Sequence, residues 1–174
     1  MRVGRVEEEL RSKAKERALH FSLIDPDKTG PSDAGSIASK LEAMGTDAIL
    51  VGGSIGVSER ELDEVIIEIK RSCSLPVILF PGNITGISRY ADAILFMSLL
   101  NSTNPYFITR AQLLGAAIIR KYDIEAIPTG YIIVGSGGAA GYVGYAHGVP
   151  YDRADIGGLY VLLAKYMGMR FAYL

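Results

Sequence analysis

The chain has 174 residues, 49% hydrophobic and 21% charged, which suits one globular domain with a substantial core and excludes a disordered chain. Its net charge is −1 with both signs interspersed, so the concentrated basic surface that gives affinity for nucleic acid is missing. The single cysteine, Cys73, precludes an internal disulfide, and neither a secretory signal nor an apolar run of the roughly 20 residues that span a bilayer is seen, so the expected location is the cytoplasm.

Val3, Val6, Leu10 and Ala14 recur at three- and four-residue spacing, which predicts an amphipathic helix over 3–18. The apolar run 19–24 predicts the first strand, ended by Asp25-Pro26-Asp27, because Pro26 lacks an amide donor and disfavours helix at Asp25. A helix over 32–44 closed by Gly45 follows, then a buried strand over 47–51 that runs directly into Gly52-Gly53-Ser54. Ser58 and Glu61 have the spacing of a reciprocal cap, starting a helix to about Arg71 with Leu62, Val65, Ile66 and Ile69 as its apolar stripe. Further strands are predicted over 76–80, 93–97, 126–134 and 170–174, and helices near Ile87, over 105–121 and over 152–167.

Apolar, non-alternating strands separated by crossovers require a parallel sheet, since only a crossover returns the chain in the same direction. That leaves a doubly wound α/β sheet and a (β/α) barrel open. Loops rich in Gly, Pro and small polar residues after successive strands, at 25–28, 52–54, 81–83 and 135–148, favour the barrel, whose chemistry sits on that face. The Gly/Ala/Tyr-rich stretch 135–145 reads as a long, flexible active-site loop rather than a domain boundary.

Asp25 and Asp27 flank Pro26 at a strand end, so two carboxylates can point into one mouth and suit a hard cation such as Mg2+. Turn formation or helix capping by the same side chains is the competing reading. Gly52-Gly53 permits backbone amides to approach an anion and Ser54 adds a hydroxyl, although a Gly-Gly pair after a strand is common. The Lys-Ser/Thr ending of a Walker loop is absent, as is the dinucleotide fingerprint. Asn101-Ser102-Thr103-Asn104-Pro105 reads either as a phosphate-attracting helix start or as ordinary turn and cap chemistry. Tyr131, Tyr142, Tyr145 and Tyr151 are candidates to line an apolar channel. His20, His147 and Cys73 read as structural, lacking metal-ligand spacing or a Cys-x-x-Cys pattern.

The segment His20-Phe21-Ser22-Leu23-Ile24-Asp25-Pro26-Asp27-Lys28 resembles the first-strand motif of the geranylgeranylglyceryl phosphate synthase family. Ile49-Leu50-Val51-Gly52-Gly53-Ser54, Leu79-Phe80-Pro81-Gly82-Asn83, Phe96-Met97-Ser98-Leu99-Leu100-Asn101-Ser102 and Ile127-Pro128-Thr129-Gly130-Tyr131 resemble the same family in the same order. The resemblance implies a (β/α)8 TIM barrel that here ends after its sixth strand, a single domain over 1–174 that is C-terminally incomplete relative to the family. It further implies Mg2+-dependent transfer of the geranylgeranyl group from geranylgeranyl diphosphate to the 3-hydroxyl of sn-glycerol 1-phosphate, in ether-lipid synthesis, by a homo-oligomer.

By the family pattern Asp25 and Ser54 match metal-holding positions, and Gly53, Tyr131, Tyr173 and Leu174 are the expected substrate-binding residues. Tyr173-Leu174 open the family's Tyr-Leu-Glu-Ala-Gly-Ser-Gly glycerol phosphate pattern, whose acidic residue, the expected catalytic group, falls after Leu174 with the phosphate-gripping loops of strands seven and eight. Competing expectations are a truncated barrel that binds prenyl diphosphate without turnover, an enzyme for a longer prenyl donor, and a phosphate-binding barrel enzyme with another substrate.

Overall fold

The computed structural model describes residues 3–53 and 58–174, and in it the apolar runs become strands joined by helices. Strands β1 (Phe21–Ile24), β2 (Ala48–Val51), β3 (Val77–Leu79), β4 (Ala93–Leu99), β5 (Glu125–Tyr131) and β6 (Phe171–Tyr173) lie in sequence order in one sheet. Parallel register pairs Ile24 with Val51, Val51 with Leu79, Leu79 with Ile94 and Tyr131 with Tyr173. The loops leaving β1, β2 and β3 therefore start from one edge. The chain divides into two compact units, Met1–Ile94 with Ile118–Ala126, and Leu95–Ala117 with Ile127–Leu174.

In the first unit β2 and β3 are wholly buried, which is why they are continuous apolar runs rather than alternating ones. The helices α2 (Pro31–Ala43) and α3 (Glu59–Ser72) pack closely through Gly35, where a Cβ would stand 2.6 Å from Ser72 Oγ. Pro31 opens α2 and Gly45, at φ 89°, follows its C-cap Met44, the usual asymmetry of helix ends. The predicted cap of α3 forms: the Ser58 hydroxyl accepts the Glu61 amide at 3.3 Å and the Glu61 carboxylate accepts the Ser58 amide at 3.0 Å. Its stripe of Leu62, Val65, Ile66 and Ile69 is buried, each side chain contributing about 1.5–3 kcal/mol.

Helix α1 (Arg5–Lys13) is shorter than the predicted 3–18, because Lys15 and Glu16 turn back on Ser12 and Lys13 and Arg17 is drawn to Asp47 beside β2. No helix forms near Ile87. Residues 81–92 instead make turns, with the Gly86 amide donating to the Asn83 carbonyl at 3.0 Å. Pro81, Gly82 and Gly86 are poor helix formers, and buried Ile87 and Ser88 pin the stretch, Ser88 donating to Asp63.

In the second unit the predicted helix 105–121 begins as a π-helical turn, Tyr106–Arg110, and continues as α4 (Ala111–Tyr122), which runs on into the first unit. Two further helices follow, α5 (Gly138–Val143) and α6 (Ala154–Tyr166). Gly130 faces α6: a Cβ there would stand 2.8 Å from Ala164 Cβ and 3.2 Å from Met169 Sδ. Side chains alternate along a strand, so Thr129 and Tyr131 face the opposite side of the sheet. The strand predicted to reach residue 134 ends at Tyr131, and the Ile132 amide passes to the Tyr173 carbonyl at 2.9 Å.

Candidate functional site

Asp25 is the first residue beyond β1 and Gly52-Gly53 the first beyond β2, at the shared edge. Asp25 Oδ1 accepts the Asp27 amide at 3.1 Å and the Asp25 carbonyl accepts the Lys28 amide at 3.0 Å, so the turn chemistry weighed against a site is present. That turn also aims the carboxylates. A Cβ on Gly53 would stand 2.6 Å from Asp25 Oδ1 and 3.1 Å from Asp27 Oδ2, so both acids converge on a bare backbone position. At Gly52 a Cβ would collide with the Phe80 carbonyl oxygen, which comes from the exit of β3 and admits only glycine.

Two carboxylates converging on an unshielded backbone are the hard oxygen donors that Mg2+ takes in company with phosphate oxygens and water. Among the described residues no three of His, Cys, Asp and Glu gather into a cluster, and Asp25 and Asp27 are the two carboxylates that meet at Gly53. Lys28 Nζ lies 2.9 Å from Asp25 Oδ2, bringing a cation to the same mouth, and its hydrogen bond with Asp25 raises the ammonium above the ordinary lysine range. Ser54, the other expected metal ligand, lies outside the described residues.

In the second unit Tyr131 and Tyr173 sit at matching register, with ring centroids 5.4 Å apart and planes at 68°. Burial pushes the Tyr131 hydroxyl above the ordinary phenol range, and the neighbouring Tyr173 adds to this, so Tyr131 is a neutral donor at physiological pH. Leu174 is exposed beside them. The Thr129 hydroxyl is buried and satisfied by the Ile127 carbonyl at 2.9 Å. Tyr142, Tyr145 and Tyr151, the other channel candidates, are largely exposed.

The segment 101–105 caps the predicted helix by ordinary turn chemistry. Asn104 Oδ1 accepts the Tyr106 amide at 3.0 Å, Ser102 Oγ donates to the Gly144 carbonyl at 2.6 Å, and a π-helical turn follows. Asn101 is the residue that sequence reasoning undervalued: its Nδ2 donates to the carbonyls of Ile133 and His147, both at 2.9 Å, and its Oδ1 accepts the Ile133 amide at 3.1 Å. The stretch predicted to be a flexible loop thus contains α5 and is tied down at both ends. His20 Nδ1 lies 3.1 Å from Thr46 Oγ1, and burial pushes the Cys73 thiol up, both in keeping with structural roles.

A model of the PcrB family matches residues 11–174. The chain is 52% identical over 172 residues to the geranylgeranylglyceryl phosphate synthase of Thermofilum pendens, covering 98% of this chain and 68% of the relative. It is 53% identical to that of Pyrococcus furiosus, covering 100% of this chain and 69% of the relative. Among solved structures it resembles a wild-type synthase from Thermoplasma volcanium, with a TM-score of 0.93 at 39% identity over 95% of this chain and 67% of that one. It also resembles (S)-3-O-geranylgeranylglyceryl phosphate synthase from Thermoplasma acidophilum in complex with its substrate sn-glycerol-1-phosphate, with a TM-score of 0.92 at 40% identity over 99% of this chain and 69% of that one. The chain spans about two thirds of the length of these proteins. Among the described residues no helix is long and apolar enough to cross a membrane. With this fold, these strand-end motifs and these relatives, the chain belongs to the PcrB family, among the geranylgeranylglyceryl phosphate synthase prenyltransferases of the TIM-barrel class.

Proposed function

We propose that the protein transfers the geranylgeranyl group of geranylgeranyl diphosphate to the 3-hydroxyl of sn-glycerol 1-phosphate, with Mg2+ as cofactor. The observation that carries this reading is the convergence of the Asp25 and Asp27 carboxylates on the Gly53 backbone at the strand ends. The names of the relatives and the sn-glycerol-1-phosphate complex of the Thermoplasma acidophilum protein support it.

The reaction joins the acceptor oxygen to C1 of the prenyl chain and breaks the bond from C1 to the diphosphate. Diphosphate leaves with the electron pair, and the hydroxyl proton is released. Negative charge grows on the leaving group while positive charge spreads over the allyl system, so electrostatics is the largest lever the site has. When bound, Mg2+ neutralises diphosphate charge and eases its departure. Asp25 and Asp27 would hold it, with Ser54 as a further oxygen donor. Gly53 keeps the backbone bare beside those carboxylates, and Lys28 adds a second cation. Tyr131 and Tyr173 offer hydroxyls that orient the acceptor, with Leu174 beside them. The same family reading carries a cytoplasmic location and self-association, tested by cell fractionation and by sedimentation.

The experiment is incubation with labelled geranylgeranyl diphosphate, Mg2+ and either sn-glycerol 1-phosphate or its enantiomer. Geranylgeranylglyceryl phosphate is expected from the first acceptor and about tenfold less from the second. No prenylated product from either acceptor, in this chain and in a form extended beyond Leu174, contradicts the reading.

A further inference from the structure

Asn101 lies two residues past the end of β4 and is 3% exposed. Its carboxamide pairs with both backbone groups of Ile133: Nδ2 donates to the Ile133 carbonyl at 2.9 Å, and Oδ1 accepts the Ile133 amide at 3.1 Å. The last ordinary rung between these segments runs from the Leu100 amide to the Tyr131 carbonyl, at 2.9 Å. The side chain of Asn101 therefore stands in for one more rung of the ladder, beyond the point where the backbones stop pairing.

The second Nδ2 proton goes to the His147 carbonyl at 2.9 Å, and the His147 amide returns to the Asn101 carbonyl at 2.8 Å. One side chain thus fixes the residue two places after Tyr131 and the point where the excursion bearing α5 comes back. The Val149 amide, donating to the Ile133 carbonyl at 3.0 Å, closes the junction. On the other flank of the same segment, the Ile132 amide donates to the Tyr173 carbonyl. The exit of β5 is clamped from both sides, immediately beyond the ring of Tyr131.

Residue type is dictated by chemistry. A carboxamide donates twice and accepts at this reach; a carboxylate of the same shape turns both donors into acceptors facing two carbonyls, and a hydroxyl supplies one donor in place of two. A buried group with these demands holds its surroundings to one arrangement, because leaving any partner unmade is costly in a site closed to water.

We propose that Asn101 is a positioning residue for the acceptor: by clamping the exit of β5 it sets where the Tyr131 hydroxyl stands beside Tyr173, and so governs sn-glycerol 1-phosphate binding and orientation without serving the prenyl diphosphate. This rests on the prenyl-transfer reading, with Tyr131 at the acceptor. Asn101 acts through Tyr131 and touches neither substrate.

The test is steady-state kinetics on the full protein for wild type, Asn101→Asp and Asn101→Ser, at temperatures where circular dichroism shows each folded. The expected result is a loss of about 100-fold in kcat/KM for sn-glycerol 1-phosphate, the scale of a shift of ~1 Å in a positioning group. The KM for geranylgeranyl diphosphate should stay within about twofold of wild type, since the donor site is untouched. Folded variants with a lowered Tm and wild-type acceptor KM and kcat overturn the proposal, as does an equal loss for both substrates. If Asn101→Asp fails to fold, Asn101→Ser, which keeps one donor, is read in the same way. An inactive wild type removes the prenyl-transfer reading and this proposal with it, whereas an active wild type with indistinguishable variants removes this proposal alone.

Discussion

Gly53 lies against Asp25 so closely that any side chain on it would meet that carboxylate, its Cβ 2.6 Å from Asp25 Oδ1. Gly53 is outside the left-handed region, so alanine there would not strain the backbone and its effect would fall on the mouth. Gly53→Ala is expected to raise the KM for geranylgeranyl diphosphate about 10- to 100-fold, equivalent to roughly 1.4–2.7 kcal/mol. Thermal unfolding should move by no more than about 2 °C. A donor KM equal to wild type would mean that diphosphate does not sit beside these acids.

Asp47 is a structural acid with a pH signature. Hydrogen bonds from the Arg17 guanidinium, at 2.8 Å to Oδ2, and from the His20 amide, at 3.0 Å, overcome the cost of burial and hold its carboxyl at about 2, against 3.8 for an unconstrained Asp. The folded chain therefore keeps this group charged where the unfolded chain takes up a proton. The stabilisation is complete above the unconstrained value and fades as pH falls towards 2. Asp47→Asn should lower stability at neutral pH by about 1–3 kcal/mol and flatten the pH dependence between 4 and 2 in urea titrations. An unchanged acid limb would show that the pairing contributes nothing.

Glu125 receives the amides of Val6 and Glu7, each at 2.8 Å, so one carboxylate satisfies two orphan donors at the start of α1 and complements its dipole. Glu125→Gln removes the charge and turns one oxygen into a donor facing an amide. A loss of about 1–2 kcal/mol is expected in chemical denaturation, with kcat/KM unchanged, because Glu125 opens β5 rather than ending it. A kinetic defect in the folded variant would contradict a purely structural role.

Tyr131→Phe keeps the ring and its edge contact with Tyr173 and deletes only the hydroxyl. The loss of one hydrogen bond to the acceptor should raise the KM for sn-glycerol 1-phosphate by about tenfold and leave the donor KM alone. Because burial raises this phenol above the ordinary range, wild-type acceptor binding should weaken through its ionisation only at a higher pH than an exposed tyrosine would allow. Wild-type acceptor kinetics in Tyr131→Phe would remove the hydroxyl from the site.

Much of this arrangement was legible in the sequence because its causes are local. Strands β2 and β3 announce themselves as unbroken apolar runs, Ser58 and Glu61 as a cap, and Asp25-Pro26-Asp27 as a turn carrying two acids. Long-range contacts were not legible. Asn101 takes its partners 32 and 46 residues away, and nothing in its neighbourhood signals them. The π-helical turn at Tyr106–Arg110 has no compositional mark, and α5 forms in a glycine-rich stretch that propensity alone assigns to loop. Near Ile87 the reverse happened: a helix was expected, but Ile87 and Ser88 are buried anchors between turns.

Whether Asp25 and Asp27 around Gly53 hold a magnesium-bound prenyl diphosphate is read by calorimetric titration of geranylgeranyl diphosphate into the protein with Mg2+ and with chelator, for wild type and Asp25→Asn. Binding is expected to require Mg2+ in the wild type and to fall at least about tenfold in Asp25→Asn. Binding of equal strength with chelator, or an Asp25→Asn protein that binds as the wild type does, would contradict it.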